Sequence, residues 1–379
     1  MFGKKHHMFR LLHHRLPILF ASIILLCALS LSVQAQTTKQ VPLTSPELVR
    51  LVYQFHDYPQ RRDEIIGEIR QRGLGFPLTS GLRSVIATKS GNDATLRRTI
   101  EEAERRRVNP TLARPPSEAE SADILAKTRT ATLASVDAMP DFVVKQLITR
   151  SIALGTTQNW HALDRLALAV SYRPSIGAED YKLLAVNGLP PGADMKAGGD
   201  FSDLVGGAIS RGEYVTFLSQ LFSEDSHASF KAIDTDTLRN RRTIVYEFEI
   251  KLPYSKGVIG FGSRSNEVLT KAGYKGKIWA DRENYRVLRI ESIATDIPMG
   301  FPVTALSRSI NYDWTTIAER KYLLPSQAEV IFTARFENQE QQTRNVIRFT
   351  NYNKFGTELR IIDEDDQIED KSAPPKDKP

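Results

Sequence analysis

Hydrophobic and polar side chains alternate along much of the last third of the chain. Between Thr243 and Leu252, apolar residues hold every even position, and polar residues hold the odd positions except that of Val245. Successive side chains of a strand point to opposite faces, so this period of two predicts a strand with one apolar and one polar face. Short turns separate it from similar segments, which indicates an antiparallel meander whose apolar face needs a cover. These further strands are predicted at 258–261, 275–280, 285–293, 305–317, 326–336 and 344–355.

The segment from Ser45 to about Arg107 has helical spacing instead. Ser45 and Pro46 form a helix start signal, and Pro59 ends that helix. Its apolar stripe at i, i+3, i+4 and i+7 consists of Leu48, Leu51, Val52 and Phe55. Three further helices are predicted at 61–72, 78–89 and 92–107. The chain is therefore expected to belong to the α+β class, with an N-terminal α-helical domain followed by an antiparallel sheet.

The first 35 residues have the features of an export signal. Four basic residues and no acidic one precede an uncharged run from Leu16 to Val33. Val33-Gln34-Ala35 then fits a small-x-small cleavage site. We expect cleavage near Ala35 and a periplasmic or secreted protein. Without cleavage, the apolar run would anchor the chain in a membrane.

The composition of the chain limits the kinds of site that it can form. Cys27 is the only cysteine and leaves with the signal, so the exported chain would have no disulfide and no thiolate metal site. The net charge of +6 falls when the four basic residues of the signal are removed, which does not favour nucleic-acid binding. His56, His161 and His227 are too far apart in sequence for a local metal motif, and no metal or cofactor is expected.

Catalytic motifs are absent from the sequence. It contains no G-x-S-x-G, no P-loop, no H-E-x-x-H and no dinucleotide fingerprint. His227 near Asp225 could serve as a base with an orienting acid in an envelope hydrolase, but no nucleophile accompanies them. A histidine at the end of a helix is more often a surface or capping residue, so no catalytic residue is predicted and the protein is not expected to be an enzyme.

Aromatic and aliphatic residues of the strands are the better functional candidates. In a curved sheet they could line a groove that holds an acyl chain. The predicted groove residues are Tyr246, Phe248, Trp279, Ile290, Tyr312, Trp314 and Phe332. An amphipathic helix before the strands could be a lid over them, through Tyr214, Phe217, Leu221 and Phe222. In the alternative interpretation, the same helix permanently fills the space above the sheet, and these aromatic residues are simply core.

The strand motifs also resemble a known family. Gly276-Lys-Ile-Trp-Ala-Asp281, the following Arg286-Val-Leu-Arg-Ile290 and Leu323-Leu-Pro325 are similar to strands of the outer-membrane lipoprotein sorting and carrier proteins, whose shape is shared by a sigma-factor regulatory protein of the periplasm. The resemblance covers about 160–360. It implies an open half-barrel that holds lipid or acyl chains under one or more helices. The added helical domain resembles modules of uncharacterised exported bacterial proteins and implies no activity.

Two functions follow as expectations. The first is an exported, non-enzymatic envelope protein that binds a lipid, an acyl chain or a lipidated protein in the half-barrel groove. The alternative is an interaction or regulatory module of the periplasm with a fully packed sheet, whose N-terminal helices bind an envelope protein. The expected organisation is a signal peptide at 1–35, a short lead at 36–44, a helical domain at 45–108, a linker with a weak helix at 109–140, an antiparallel half-barrel domain at 141–362 and a disordered acidic tail at 363–379.

Overall fold

A computed structural model describes most of the chain between residues 41 and 355. The described ranges are 41–110, 116–173, 178–192, 216–262, 267–336 and 339–355. The expected signal peptide, most of the short lead, part of the linker, Tyr214 of the expected lid and the acidic tail lie outside them. The described residues from Leu43 onward belong to one compact unit.

Four helices form the N-terminal region, and their bounds lie within two or three residues of the predicted ones. They are α1 (Ser45–Asp57), α2 (Arg62–Arg72), α3 (Ser80–Lys89) and α4 (Ala94–Val108). Each buries its apolar stripe against the others, as the predicted stripe of α1 requires. The side chains of Thr79 and Asp93 cap α3 and α4 by accepting hydrogen bonds from backbone N–H groups of the first turn.

Twelve strands follow along the described chain. They are β1 (Phe142–Leu154), β2 (His161–Arg173), β3 (Ala178–Val186), β4 (Ser229–Leu238), β5 (Arg241–Ile250), β6 (Val258–Phe261), β7 (Val268–Lys271), β8 (Gly273–Asp281), β9 (Val287–Thr295), β10 (Val303–Ile317), β11 (Arg320–Phe336) and β12 (Gln339–Lys354). All of the strands predicted between 243 and 355 are confirmed. Strand β4 lies outside the predicted segments.

Ten of these strands form one antiparallel sheet in the order β3-β2-β1-β12-β11-β10-β9-β8-β5-β4, while β6 and β7 form a separate hairpin. The two ends of the sheet, β3 and β4, do not pair with each other, so the sheet is open. The α+β class and the half-barrel are therefore confirmed.

Two helices cover one face of the sheet, which we call the inner face. They are α5 (Glu118–Asp137) and α6 (Thr216–Phe222). Apolar residues of both helices belong to the same core as the inner-face strand residues. The weak helix expected in the linker at 122–134 is thus a 20-residue helix that packs onto the sheet. Its stripe is hard to see in the sequence because Thr128 and Thr132 lie on its buried side.

The N-terminal helices meet the opposite, outer face. Arg98 and Arg106 of α4 form ion pairs with Asp236 and Asp234 of β4. A smaller apolar cluster lies on this side of the sheet, made of Leu238, Val245, Trp279 and Leu288. Within the described ranges, the helices are too short or too polar to cross a membrane.

Candidate ligand-binding face of the half-barrel

One continuous line of apolar side chains crosses the inner face. The strand registers place one residue of each strand directly opposite its neighbour on the next, and all ten residues of this line are apolar. We call it the apolar row: Ala232, Tyr246, Ile278, Ile290, Ile310, Ala328, Ile347, Ile148, Leu166 and Val186. It explains why the even positions of β5 are apolar, because they are the positions that face this row.

Helix α5 is fastened to the sheet by polar contacts. The Tyr246 hydroxyl donates a hydrogen bond of 2.7 Å to the backbone carbonyl of Ser121, and Arg282 pairs with Glu120. Near the other end of the helix, Arg286 donates to the carbonyl of Ala131 at 2.5 Å. These contacts hold α5 at two points and make it a fixed cover.

Helix α6 is held by aromatic and apolar contacts instead. The Phe217 ring meets the rings of Phe248 and Tyr274 edge-on, at centroid distances of 6.4 and 5.7 Å. The Phe222 ring stacks on that of Phe230 at 5.6 Å. Such contacts can separate without breaking any backbone hydrogen bond of the sheet, so α6 is the cover better suited to move.

A second line, adjacent to the apolar row, is partly polar. Its members are also directly opposite one another in the strand registers. We call it the polar row: Phe230, Phe248, Gly276, Ser292, Arg308, Val330, Asn345, Arg150 and Asp164. Asn345 and Arg150 are each only 3 % exposed, so this row places hydrogen-bonding groups deep in an otherwise apolar face.

The two arginines of the polar row have different surroundings. The Nε of Arg150 donates to Asp164 at 2.6 Å, and its Nη2 pairs with the same carboxylate. The guanidinium carbon of Arg308 lies over the Phe217 ring, 5.4 Å from the centroid, and its Nε is buried without a hydrogen-bond partner. Sequence reasoning missed both residues, although each has the parity of the apolar residues beside it in its strand.

Gly276 explains one feature of the strand motif. It begins Gly276-Lys-Ile-Trp-Ala-Asp281 in β8, where a Cβ atom would collide with the carbonyl oxygen of Glu291 and lie 2.8 Å from the Cα of Ser292. The two backbones approach too closely at this point for any side chain. A glycine inside a strand is therefore required by packing here.

The structure brings most of the predicted groove residues together, but not all. Tyr246, Phe248, Ile290 and Tyr312 belong to the inner-face core, with Phe332 packed against it. The first four are each about 1 % exposed, so the chain itself covers them. The described members of the expected lid, Phe217, Leu221 and Phe222, belong to the same core.

Trp279 and Trp314 lie elsewhere. Trp279 follows Ile278 directly in β8 and therefore faces the outer side, because adjacent strand residues point to opposite faces. Trp314, near the end of β10, is 41 % exposed and is absent from the inner-face core.

Trp279 has a defined role at the outer face. Its indole N–H donates to Asp236 at 2.8 Å, and the guanidinium groups of Arg98 and Arg289 lie over its ring at 5.7 and 5.6 Å. Asp236 also accepts a bond from Arg98 at 3.3 Å. Burial lowers the pKa of Arg98, and the nearby positive charge of Arg289 lowers it further. This cluster joins α4 to the sheet.

Burial shapes the ionisation of the inner face. It raises the pKa of the Tyr246 phenol well above its usual range, and the nearby Glu120 carboxylate adds to the effect. Burial likewise raises the pKa of Tyr274, against the opposing effect of Arg308. Both phenols therefore keep their protons to higher pH than a solvent-exposed tyrosine does.

A depression opens beside α6. It is shallow, with a cavity volume of only about 10 Å³. Its walls include Phe217 and Gln220 of α6 together with Ile250, Tyr254 and Tyr274. The depression thus lies where α6 meets the strands.

His227 and Asp225 do not form a pair. Asp225 bonds Lys256 at 3.1 Å, and the ring of His227 packs against that of Tyr254 at 4.3 Å. Both residues are exposed. In this arrangement the carboxylate does not orient the imidazole as a catalytic acid would.

Comparisons with known proteins give distant structural likenesses. No protein-family model matches the chain, and no curated protein matches it. An outer membrane lipoprotein-sorting protein domain from Vibrio parahaemolyticus is 14 % identical, with 62 % of this chain and 92 % of that chain covered and a TM-score of 0.25. A DUF1329 family protein from Desulfovibrio piger is 10 % identical, with 62 % and 95 % covered and a TM-score of 0.29.

A third likeness is to the complex of MucA and MucB from Pseudomonas aeruginosa. It is 9 % identical, with 59 % of this chain and 94 % of that chain covered and a TM-score of 0.17. The first of the three is a lipoprotein-sorting domain, the class that the strand motifs resemble.

Proposed function

We propose that this protein is an exported, non-enzymatic envelope protein that binds the acyl chain of a lipid or of a lipidated partner on the inner face of its half-barrel. The observation that carries the proposal is the apolar row, which is continuous across ten strands and covered by helices rather than by a second sheet. At about 4.8 Å per strand, the row is roughly 40 Å long along the curve of the sheet. It can accommodate an extended chain, and each methylene buried there would contribute about 0.8 kcal/mol.

Binding on this face requires α6 to move. In the structure, Phe248 and Tyr274 are buried beneath Phe217. An acyl chain that displaces α6 would replace these aromatic contacts with its own, and its burial would have to offset the exposure of the apolar side chains of α6. Helix α5 stays in place because its polar contacts with Tyr246 and Arg286 do not depend on α6.

A second function is supported by a different observation. The aromatic residues of the inner face are already covered by the chain's own helices, which is what a periplasmic interaction or regulatory module with a packed sheet requires. In that case the N-terminal helices would present the surface for an envelope protein. The two proposals differ in one property: only the first needs the inner face to open.

Ligand binding separates them. The full chain would be expressed, the exported protein purified from the cell envelope, and its mass measured under native conditions. The acyl proposal expects a co-purified lipid, or saturable uptake of a fluorescent acyl probe that unlabelled hexadecanol displaces. If neither occurs, the acyl proposal is wrong and the interaction module is favoured.

A further inference from the structure

Arg308 is a cation in the apolar floor of the half-barrel. It lies in β10 between Leu306 and Ile310, with Ser292 and Val330 directly opposite on the two neighbouring strands. None of these residues carries a negative charge. Among the residues that the structure describes, Arg308 is half-buried and forms no ion pair, its Nε is buried without a hydrogen-bond partner, and its contact from above is with the Phe217 ring.

Arg150 provides an internal comparison. It occupies the same polar row, and the next strand supplies a carboxylate for it in Asp164. The sheet therefore can place an acid opposite an inward-facing arginine, and does so at one position of the row. At Arg308 the equivalent neighbour is Ser292 or Val330, and the positive charge is left without a counter-charge.

Because Arg308 is half-buried, its guanidinium loses part of its hydration without gaining a carboxylate partner, which costs free energy. The Phe217 ring offsets part of this cost through a cation–π contact. That contact belongs to α6, the cover that must move when a ligand enters. Opening the cover thus frees the guanidinium at the moment when the apolar row becomes accessible.

We infer that Arg308 binds the anionic head group, a carboxylate or a phosphate, of the acyl ligand. The inference rests on the proposed function and adds the ligand's polarity to it. A guanidinium donates two parallel hydrogen bonds to either anion. The acyl chain would then lie along the apolar row, which is adjacent to the polar row across the sheet.

Three ligands with the same alkyl chain test the inference. The purified protein would be titrated with hexadecanoate, hexadecyl phosphate and uncharged hexadecanol, each in competition with a fluorescent acyl probe, and with inorganic phosphate alone. We expect the two anionic amphiphiles to bind about 10- to 100-fold more tightly than hexadecanol, as a charge-assisted hydrogen-bond pair would give. This preference should disappear in Arg308→Met and persist in part in Arg308→Lys, which keeps the charge.

Arg348→Met is the matched control. Arg348 lies on the outer face of β12 and is exposed, so its loss should leave all three affinities unchanged. A fold check accompanies the variants: Arg308→Met should have about the thermal stability of the parent protein, because it breaks no ion pair. Arg150→Met should be less stable, because it leaves Asp164 unpaired.

The outcomes are distinct. Equal affinity for all three amphiphiles, or an anion preference that survives in Arg308→Met, overturns the inference while acyl binding stands. Inorganic phosphate that binds as tightly as hexadecyl phosphate indicates a site for the free anion and also overturns it. If none of the amphiphiles binds, the inference fails together with the proposed function.

Discussion

The hydroxyl of Tyr246 donates a hydrogen bond of 2.7 Å to the backbone carbonyl of Ser121. This bond connects the apolar row, one strand in from its β4 end, to the first turn of α5. It also satisfies the one polar atom of a side chain that is otherwise buried in the core. The relationship ties α5 to the sheet by a buried polar contact.

Replacement of Tyr246 by Phe should lower stability without changing ligand binding. The ring and its packing stay, while one buried hydrogen bond is lost, so the free energy of unfolding should fall by about 1 kcal/mol. Urea unfolding measures this change, and the acyl-probe titration should be unaffected because α5 does not move. Tyr254→Phe, at an exposed ring, is the control that should leave stability as it is. An equal effect of both variants would contradict the role given to the Ser121 bond.

Alkaline pH should unfold the protein partly through the same phenol. The pKa of Tyr246 is raised by burial, so the folded state keeps its proton at pH values where the unfolded state has lost it. The stabilisation from this group is complete below the unfolded-state pKa of about 10 and decreases as pH rises above it. Unfolding midpoints measured from pH 8 to 11 should fall less steeply for Tyr246→Phe than for the parent protein. Parallel curves would show that the phenol does not contribute.

Among the positions of the outer face, Asp236 should lower the free energy of unfolding most when it is substituted. It is 6 % exposed and accepts hydrogen bonds from Arg98 and from the indole of Trp279. Asp236→Asn would leave the largely buried Arg98 without its carboxylate, which should cost about 3 kcal/mol. Asp313→Asn breaks an exposed pair with Arg239 and should cost well under 1 kcal/mol. Urea unfolding measures both changes. Similar decreases in the free energy of unfolding for the two variants would mean that the buried cluster does not hold α4 on the sheet.

Glu47 should make the helical region sensitive to acid. Hydrogen bonds from Arg72, and then from the backbone and hydroxyl of Thr44, lower the pKa of Glu47 to about 2. Because the folded-state pKa lies below the usual value of 4.5, its stabilisation is present above about pH 4.5 and is lost as pH falls toward 2. Glu47→Gln should therefore be less stable than the parent at pH 7 and indistinguishable from it near pH 2. Glu224→Gln, at an exposed acid, should have the stability of the parent protein at both pH values. A loss of stability in Glu47→Gln that does not depend on pH would contradict the lowered pKa of Glu47.

The sequence predicted the helices and most strands because their signals are local. The caps and apolar stripe of α1 and the alternation in β5 depend on residues only a few positions apart. The sequence predicts only a weak helix at α5 because threonines on its buried side weaken the hydrophobic pattern. The sequence alone does not show which residues of neighbouring strands stand opposite one another. It therefore cannot separate Trp279 from Tyr246, although the residue opposite Tyr246 is Ile278.

The polar row could be recognised only in the folded sheet. Its members come from nine strands, and which residues stand opposite one another depends on pairings such as β1 with β12, whose residues are about two hundred positions apart. The sequence did contain one signal: Arg308 has the parity of Leu306 and Ile310 on an otherwise apolar face. A charged residue at such a position indicates a functional site more directly than the aromatic residues around it.

Photo-crosslinking with an acyl ligand tests the central claim most directly. The exported protein would be illuminated with hexadecanoate that carries a diazirine near the middle of its chain, and the modified peptides would be identified by mass spectrometry. Binding in the half-barrel predicts adducts on β5, β8, β9 or β10 at inner-face positions such as Tyr246, Ile278 and Ile290, and their loss when excess unlabelled hexadecanoate is present. Adducts confined to exposed residues of the outer face, or adducts that excess ligand does not suppress, would contradict the claim.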